Sequence, residues 1–260
     1  MMITAVVFSK DRACQLDLLL TSLERNGRGL FHPVVLYRAT NEEHEKAYSV
    51  CRERFWKVPF QPDGDAPVRV AAELFGLASY GCFFTDDSVL YRSIPFPPTQ
   101  LSGRVLCFSL RLGLNTTWCY PYDREQITPT ARSVILQWDW TTADGDFGYP
   151  ASVDGHVFSG LDLYGALAGC AENANPNQME EHLVKTFALD ARVRMASYPH
   201  SCLVGIPANI VTDTHRNRHA HGPTPDDLCA SYLSGKRLDL DAMDFTDVRG
   251  AHQDIELVLA

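Results

Sequence analysis

Apolar runs of strand length alternate with segments of helical spacing through the first 90 residues. The strand-like runs are residues 3–9, 33–38, 56–60 and 81–85, and the helical segments are residues 14–26, 40–55 and 67–80. Continuous apolar strands suit a sheet covered on both faces, and strand–helix alternation implies parallel connections. This region is therefore predicted to be a doubly wound α/β unit, with ligands at the carboxyl ends of its strands.

Local signals place some of the helix ends. Gly27 offers a stop for the first helix, and Thr40 with Glu43 forms a capping-box pattern that predicts the start of the second. The later part of the chain is less regular: residues 104–113 and 202–206 are predicted strands, residues 161–170, 177–189 and 225–233 are predicted helices, and residues 112–150 are expected to form an irregular lining. No repeat or linker interrupts the chain, so residues 1–260 are predicted to be one domain.

Charge and apolar patterning narrow the functional classes. The formal net charge is -9, which disfavours nucleic-acid binding, because a broad nucleic-acid grip needs many Lys and Arg side chains on phosphates. No stretch of 18 apolar residues predicts a transmembrane helix, and the opening residues lack a signal-peptide pattern. The eight cysteines are scattered with no C-x-x-C pair, which favours buried reduced thiols and a cytoplasmic location.

The sharpest local motif is FFTDDS at residues 83–88. A predicted buried strand ends there and delivers Asp86, Asp87 and Ser88 to the edge of the sheet that bears ligands. Adjacent carboxylates repel each other, and Mg²⁺ or Mn²⁺, which prefers oxygen ligands, would resolve the conflict. The alternative is a turn or helix cap, where Asp and Ser are also common.

Together, VVFSKDR at residues 6–12 and FFTDDS resemble the GT-A nucleotide-sugar glycosyltransferases of the family-2-like superfamily. The resemblance implies a GT-A-like α/β fold, with a Rossmann-type, mostly parallel central sheet flanked by helices and an irregular acceptor-side half. It also implies a nucleoside-diphosphate sugar as donor, a saccharide or other hydroxyl compound as acceptor, and Mn²⁺ or Mg²⁺ as cofactor. Residues 1–92 would bind the nucleotide, and residues 93–260 would bind the acceptor and close the site.

The same resemblance assigns roles to residues of these two motifs. Near the nucleotide it places Phe8, Ser9, Lys10 and Arg12. It places Asp86 by the ribose and diphosphate, and both Asp86 and Asp87 by the metal. Read as a D-x-D motif, the third position is Ser88.

Two later segments resemble the acceptor side of the family. SVDGHVF at residues 152–158 resembles a segment of small and aromatic residues, and NPNQMEEHL at 175–183 resembles the helix-borne acidic motif. Glu180, or else Glu181, would then take the proton from an acceptor hydroxyl; a solvated helix start is the alternative. Asp154 is a further catalytic candidate, although Asp-Gly-His also suits an Asx-turn.

Cationic residues complete the set of candidates. THRNRHAHG at residues 214–222 resembles a closing segment, in which His215 or His219 would bind the metal and Arg216 or Arg218 the diphosphate; a solvated loop is the alternative. Arg111 lies in an apolar strand and needs a partner, either a structural carboxylate or a substrate anion.

Glycosyl transfer is the function that these motifs favour, with inversion or retention of configuration left open. A GT-A-like protein that binds nucleotide sugars without turnover is one alternative. A sugar-phosphate nucleotidyltransferase is another, but it would need a glycine-rich loop after the first strand, and FSKDRACQ at residues 8–15 contains no glycine.

Overall fold

The computed structural model of the chain describes residues 2–101, 103–130, 133–211 and 222–260. Its helices are α1 (Ala13–Asn26), α2 (Glu42–Arg54), α3 (Pro67–Gly76), α4 (Gly160–Leu167), α5 (Pro176–Phe187) and α6 (Pro225–Leu233). Its strands are β1 (Ile3–Lys10), β2 (Phe31–Arg38), β3 (Phe60–Pro62), β4 (Tyr80–Thr85), β5 (Ser88–Leu90), β6 (Val105–Ser109), β7 (Trp118–Cys119), β8 (Arg124–Glu125), β9 (Leu136–Asp139), β10 (His156–Ser159), β11 (Arg194–Ser197) and β12 (Leu203–Gly205).

Eight strands form one central sheet, in the order β3-β2-β1-β4-β10-β6-β11-β9. The first four are mutually parallel, as the strand–helix alternation predicts. β10 runs antiparallel to both β4 and β6, and β9 runs antiparallel to β11, so β6 and β11 keep the direction of the first four strands. The sheet is therefore mostly parallel, and the carboxyl ends of β1, β2 and β4 meet at one edge.

Two apolar cores cover the two faces of the sheet. Successive residues of β1 alternate between them: Ala5 and Val7 pack into the core that contains α1, α2 and α6, while Val6 and Phe8 pack into the core that contains α3, α4 and α5. This alternation follows from the two-residue period of a strand. Burial on both faces fixes the register of β1, and with it the position of the loop that follows Lys10.

A segment near the C-terminus, residues 250–253, packs against the small two-stranded sheet of β5 and β12. β12 pairs with β5, and Gly205 of β12 forms a further bridge to His252. Gly205 N–H donates to the Ala251 carbonyl, and Gln253 N–H donates to the Gly205 carbonyl, each at 3.0 Å. Residues 250–253 therefore lie beside β12, and β12 in turn pairs with β5, the strand that follows the Asp86–Asp87 turn.

Some sequence predictions of element boundaries were wrong. α2 begins at Glu42 with Asn41 as N-cap, because the Thr40 N–H and hydroxyl both donate to the Asp11 carboxylate instead of capping. The third strand lies at Phe60–Pro62 rather than at residues 56–60, and α3 ends at Gly76, four residues before β4. Strands β5, β9, β10 and β11 were not predicted.

Two smaller expectations can be compared directly with the structure. None of the eight cysteines forms a disulfide, and all but Cys170 are buried. Within the described ranges, the structure contains no helix with the length and apolar character needed to cross a membrane.

Candidate functional site

The acidic pair lies where the sequence motif suggests, in the turn between β4 and β5. Asp86 N–H donates to the Phe8 carbonyl at 3.0 Å, which ties this turn to the end of β1. The Asp86 side chain is almost fully buried, whereas 17% of the Asp87 side chain is exposed. The two carboxylates therefore have different environments, and only that of Asp87 has appreciable contact with solvent.

Both oxygens of the Asp86 carboxylate accept from donors at the end of β1 and in the loop after it. Ser9 Oγ and the Lys10 N–H donate to Oδ2 at 2.9 and 3.0 Å, and Arg12 Nη1 donates to Oδ1 at 3.0 Å. Asp11, at the centre of this loop, has a φ of 56°, a conformation that Asp tolerates better than most residues. The left-handed turn directs Lys10 and Arg12 toward the acidic pair.

Arg12 is the cation that joins these elements. Its guanidinium contacts Asp86 and, at 3.3 Å, Asp87, and its other nitrogens donate to the side-chain and backbone oxygens of Asn209. Burial raises the pKa of Asp86 to about 6, because desolvation outweighs the attraction of Arg12. Arg12 therefore compensates the charge of the Asp86 carboxylate when that group is ionised.

A hydroxyl connects the acidic pair to Asp154, which precedes β10. Thr85 Oγ1 lies 2.7 Å from Asp87 Oδ1 and also hydrogen-bonds Asp154 Oδ1. The Thr85 N–H and the Ser88 hydroxyl donate to the same Asp154 oxygen, at 3.2 and 3.3 Å. Asp154 thus lies directly beside the acidic turn, although 66 residues of sequence separate it from Ser88.

The second oxygen of Asp154 faces two basic groups. Arg111 Nη1 lies 3.4 Å from Asp154 Oδ2 and 2.5 Å from Ser152 Oγ, and His252 Nε2 lies 3.5 Å from the same Asp154 oxygen. Burial alone would raise the pKa of Asp154, but the hydrogen bond from His252 and the charge of Arg111 outweigh it and lower that pKa. Arg111 therefore has a carboxylate partner within the protein, one of the two roles expected for it.

Glu180 lies on the other side of this cluster, in the first half of α5. Burial raises its pKa to about 8, the negative charge of Asp154 acts in the same direction, and Arg111 opposes both. Interaction with the Tyr149 and Ser152 hydroxyls acts to lower the pKa of Glu180 but does not cancel the effect of burial. A carboxyl group whose pKa is close to working pH is suited to receive or release a proton.

Glu181 differs from its neighbour. Its side chain is 61% exposed and forms an i,i+4 ion pair with Lys185 at 2.6 Å. An exposed pair of this kind leaves the carboxylate in contact with solvent. Of the two acidic candidates on α5, Glu180 is therefore the better placed to exchange a proton with a substrate.

One cleft of about 1010 Å³ brings these groups together. The sequence-predicted site residues that line it are Phe8, Ser9, Lys10, Arg12, Asp86, Asp87, Arg111, Asp154, Glu180 and Glu181. The remaining candidates, His215, Arg216, Arg218 and His219, lie outside the described residues. The roles of all these residues stay predictions, but those that are described surround a single space at the expected edge of the sheet.

Sequence reasoning missed several residues of the cleft. Asn209 holds Arg12, Tyr149 interacts with Glu180, and His252 contacts Arg111 and Asp154. His156 is also buried in the lining, and burial lowers its pKa to about 3, so it is neutral. Asn209, Tyr149 and His252 come from irregular segments that no periodicity or motif marks, whereas His156 lies in the segment 152–158 without having been assigned a role there.

Asp86 and Asp87 are the residues of the cleft that the sequence predicted as carboxylate ligands of Mn²⁺ or Mg²⁺. No group of three or more His, Cys, Asp or Glu side chains able to hold a metal is found among the residues that the structure describes. Both carboxylates of the pair have their two oxygens engaged within the protein, but Asp87 is the more exposed and its contact with Arg12 is the longer one. Asp87 borders the cleft, and Mg²⁺ sites often use only one or two carboxylates together with substrate phosphates. Of the two neighbouring carboxylates, Asp87 is therefore the more accessible to a metal that is bound together with substrate phosphates.

The environment of Glu180 predicts a pH-dependent effect on stability. Its folded-state pKa of about 8 lies above the unfolded value of about 4.3. The wild-type protein should therefore lose stability as pH rises from roughly 4 to 8, where the unfolded chain releases this proton first. We expect Glu180→Gln to raise the melting temperature more at pH 9 than at pH 5, as measured by thermal unfolding. Glu181→Gln is the matched control, and an equal shift of Glu180→Gln at both pH values would contradict the assignment.

Comparisons with known proteins show a likeness of fold. The sequence matches no protein-family profile and no curated protein. A crystal structure of S. aureus TarS aligns with a TM-score of 0.50 and 11% identity, over 78% of this chain and 36% of that one. TarS 1–349 aligns with a TM-score of 0.50 and 12% identity, over 80% of this chain and 61% of that one.

A third structure, TarS 1–349 in complex with UDP, aligns with a TM-score of 0.46 and 12% identity, over 92% of this chain and 68% of that one. The chain spans 36% of the TarS chain and 61% of TarS 1–349 in the first two alignments, so these proteins are longer than the region compared. At such low identity the likeness concerns the fold alone. With its mostly parallel sheet between two layers of helices, the chain has a GT-A-like α/β fold.

Proposed function

We propose that the protein is a glycosyltransferase that moves a sugar from a nucleoside-diphosphate donor to the hydroxyl of an acceptor. The observation that carries this proposal is the single cleft, which joins an acidic pair at the carboxyl edge of the sheet to a carboxyl group with a raised pKa. The GT-A-like fold agrees with this interpretation. Since one fold can host many functions, that agreement is an analogy, and the residues of the cleft carry the proposal.

The donor would occupy the part of the cleft bordered by β1, β2 and α3. Phe8, Leu36 and Pro67 line it with apolar surface on which a nucleobase can pack. Lys10 is partly buried at its border, and its ammonium group donates to the Val211 carbonyl at 2.7 Å, which leaves hydrogens for phosphate oxygens. Asp87 would hold Mn²⁺ or Mg²⁺, which when bound offsets negative charge on the diphosphate.

The acceptor would approach from the side of α5. In an inverting reaction, Glu180 accepts the proton of the acceptor hydroxyl while the acceptor oxygen forms a bond to the anomeric carbon. The bond between that carbon and the phosphate oxygen breaks, and the nucleoside diphosphate leaves with the electron pair. In a retaining reaction, Glu180 would position substrates instead. Tyr149 and Ser152 would orient the Glu180 carboxyl in either case.

Replacement of Asp87 tests the donor site. We expect wild-type protein to bind UDP or GDP in calorimetry with Mn²⁺ present, and Asp87→Asn to weaken that binding by about 10-fold or more, since it loses a charged oxygen ligand. Asp239→Asn, a change at a partly exposed residue outside the cleft, is the control. Absence of nucleoside-diphosphate binding in the wild-type protein, with and without Mn²⁺, would refute the proposed function.

Turnover is tested with a panel of UDP- and GDP-sugars. Release of nucleoside diphosphate, with the sugar passing to a saccharide acceptor or to water, would support a transferase. Binding without any release across the panel would instead favour a protein that binds nucleotide sugars without turnover. Release of pyrophosphate from nucleoside triphosphates would identify a nucleotidyltransferase.

A further inference from the structure

His252 is held at the cleft by its backbone. Residues 251 and 253 hydrogen-bond both sides of Gly205, and the space that a Cβ would take at Gly205 is filled by the His252 ring, 2.3 Å away at Cδ2. Any other residue at position 205 would therefore displace the imidazole. β12, which carries Gly205, pairs with β5, so the ring has a fixed position relative to the acidic turn.

The contacts of the imidazole indicate which nitrogen carries the proton. Arg111 Nη2 lies 2.9 Å from Nδ1 and 3.4 Å from Nε2, and the shorter contact identifies Nδ1 as the acceptor. A guanidinium can only donate, so Nδ1 has no proton in this arrangement. The proton then resides on Nε2, which faces Asp154 Oδ2 at 3.5 Å. His252 thus accepts from a cation with one nitrogen and faces an anion with the other.

These contacts extend to the carboxyl group proposed as the base. Arg111, which His252 holds through Nη2, donates through Nη1 to Ser152 Oγ at 2.5 Å. Interaction with the Ser152 hydroxyl in turn acts to lower the pKa of Glu180. Arg111 has only 6% of its surface exposed, so solvent cannot replace the imidazole as its partner without a rearrangement. Close polar contacts therefore run from His252 through Arg111 to Ser152, and Arg111 and Asp154 both act electrostatically on Glu180.

We propose that His252 is a positioning residue for the transfer reaction, which fixes Arg111 and Asp154 and thereby the orientation of Glu180. The inference rests on the proposed function, because it concerns the residue assigned as base. His252 does not itself exchange a proton with substrate in this proposal. His252 is the residue of segment 250–253 that lines the cleft, and its ring contributes to the wall on the proposed acceptor side.

Kinetics of three variants test the proposal, with the UDP- or GDP-sugar that the wild-type protein hydrolyses fastest. We expect His252→Leu to lower kcat by about 10- to 100-fold, with a change in the donor KM of less than about 3-fold, since misplacement of a catalytic group affects the chemical step. His252→Gln, whose amide can accept and donate in the same places, should recover at least about a third of wild-type kcat. His32→Gln, an exposed histidine on β2, should leave kcat unchanged.

Two kinetic results would overturn the role of His252. One is a His252→Leu protein with wild-type kcat. The other is a His252→Gln protein as slow as His252→Leu, which would mean that the ring fills space rather than bridging Arg111 and Asp154.

Nitrogen-15 NMR of the wild-type protein gives an independent test that needs no variant to fold and no turnover. We expect the His252 ring to show the Nε2–H tautomer, with unprotonated Nδ1, at neutral pH. An Nδ1–H or doubly protonated ring would overturn the inference even if transferase activity is found. Failure of the wild-type protein to bind UDP or GDP would instead refute the proposed function, and the tautomer would still decide whether the bridge exists.

Discussion

A Glu180→Gln protein should transfer or hydrolyse its donor about 10²- to 10⁴-fold more slowly than wild type, which is the usual contribution of a general base. Gln has nearly the same shape but cannot accept a proton, so donor binding near Asp87 should change by less than about 3-fold. Glu181→Gln, the neighbouring exposed acid, should retain close to wild-type activity. Steady-state kinetics together with calorimetric titration of UDP or GDP would measure both effects.

The pH dependence of the same reaction provides a second measurement. A base must be deprotonated to act, and the pKa of Glu180 is about 8 in the free protein. The wild-type kcat/KM should therefore rise with pH and level off above about 8, and residual activity of Glu180→Gln should lack that rise. If Glu180→Gln kept full activity while Glu181→Gln lost it, the assignment of the base would have to move to Glu181.

Replacing Arg12 by Met should have the largest effect on stability. The substitution leaves Asp86 buried without its counterion, and breaking one side of a buried ion pair costs about 3–5 kcal/mol. For a chain of this size the melting temperature should fall by roughly 6–20 °C. The same change should also weaken nucleoside-diphosphate binding, since the loop from Ser9 to Arg12 and the acidic turn lose their common partner.

Arg25→Met is the matched control for this variant. Arg25 also contacts a carboxylate, that of Asp241, but both groups are exposed, so little change in melting temperature is expected. Differential scanning calorimetry of the two variants isolates the effect of burial. A melting temperature of Arg12→Met within about 2 °C of wild type would show that the pair with Asp86 is not needed for folding.

The strand–helix alternation was enough to predict the parallel half of the sheet and the place of the acidic turn. Both follow from the spacing of apolar residues along the sequence and from the apolar content of each segment, which are clear in β1, α1 and β4. The N-terminal boundary of α2 was harder, because a local capping pattern at Thr40 competes with a tertiary contact. Asp11 takes both donors of Thr40, and nothing in the sequence around Thr40 reveals that partner.

The acceptor side shows the limit of local patterns more clearly. β10 is a four-residue strand whose antiparallel insertion between β4 and β6 depends on partners far along the chain. Arg111 was recognised as a buried cation in need of a partner, but its actual partners, Ser152, Asp154 and His252, could be assembled only by the fold. Side chains such as His252 carry no periodic signal because they come from irregular segments.

The insertion of β10 also affects how the polypeptide reaches its final form during synthesis. β4 is complete at Thr85, but the strand that covers its free edge begins at His156, so roughly 70 residues must be added before that edge is paired. An apolar strand with unpaired backbone groups is prone to associate with other chains. A fragment truncated near residue 92 should therefore self-associate. The ribosome-bound chain would stay monomeric only if its later half is synthesised soon enough for β10 to pair with β4.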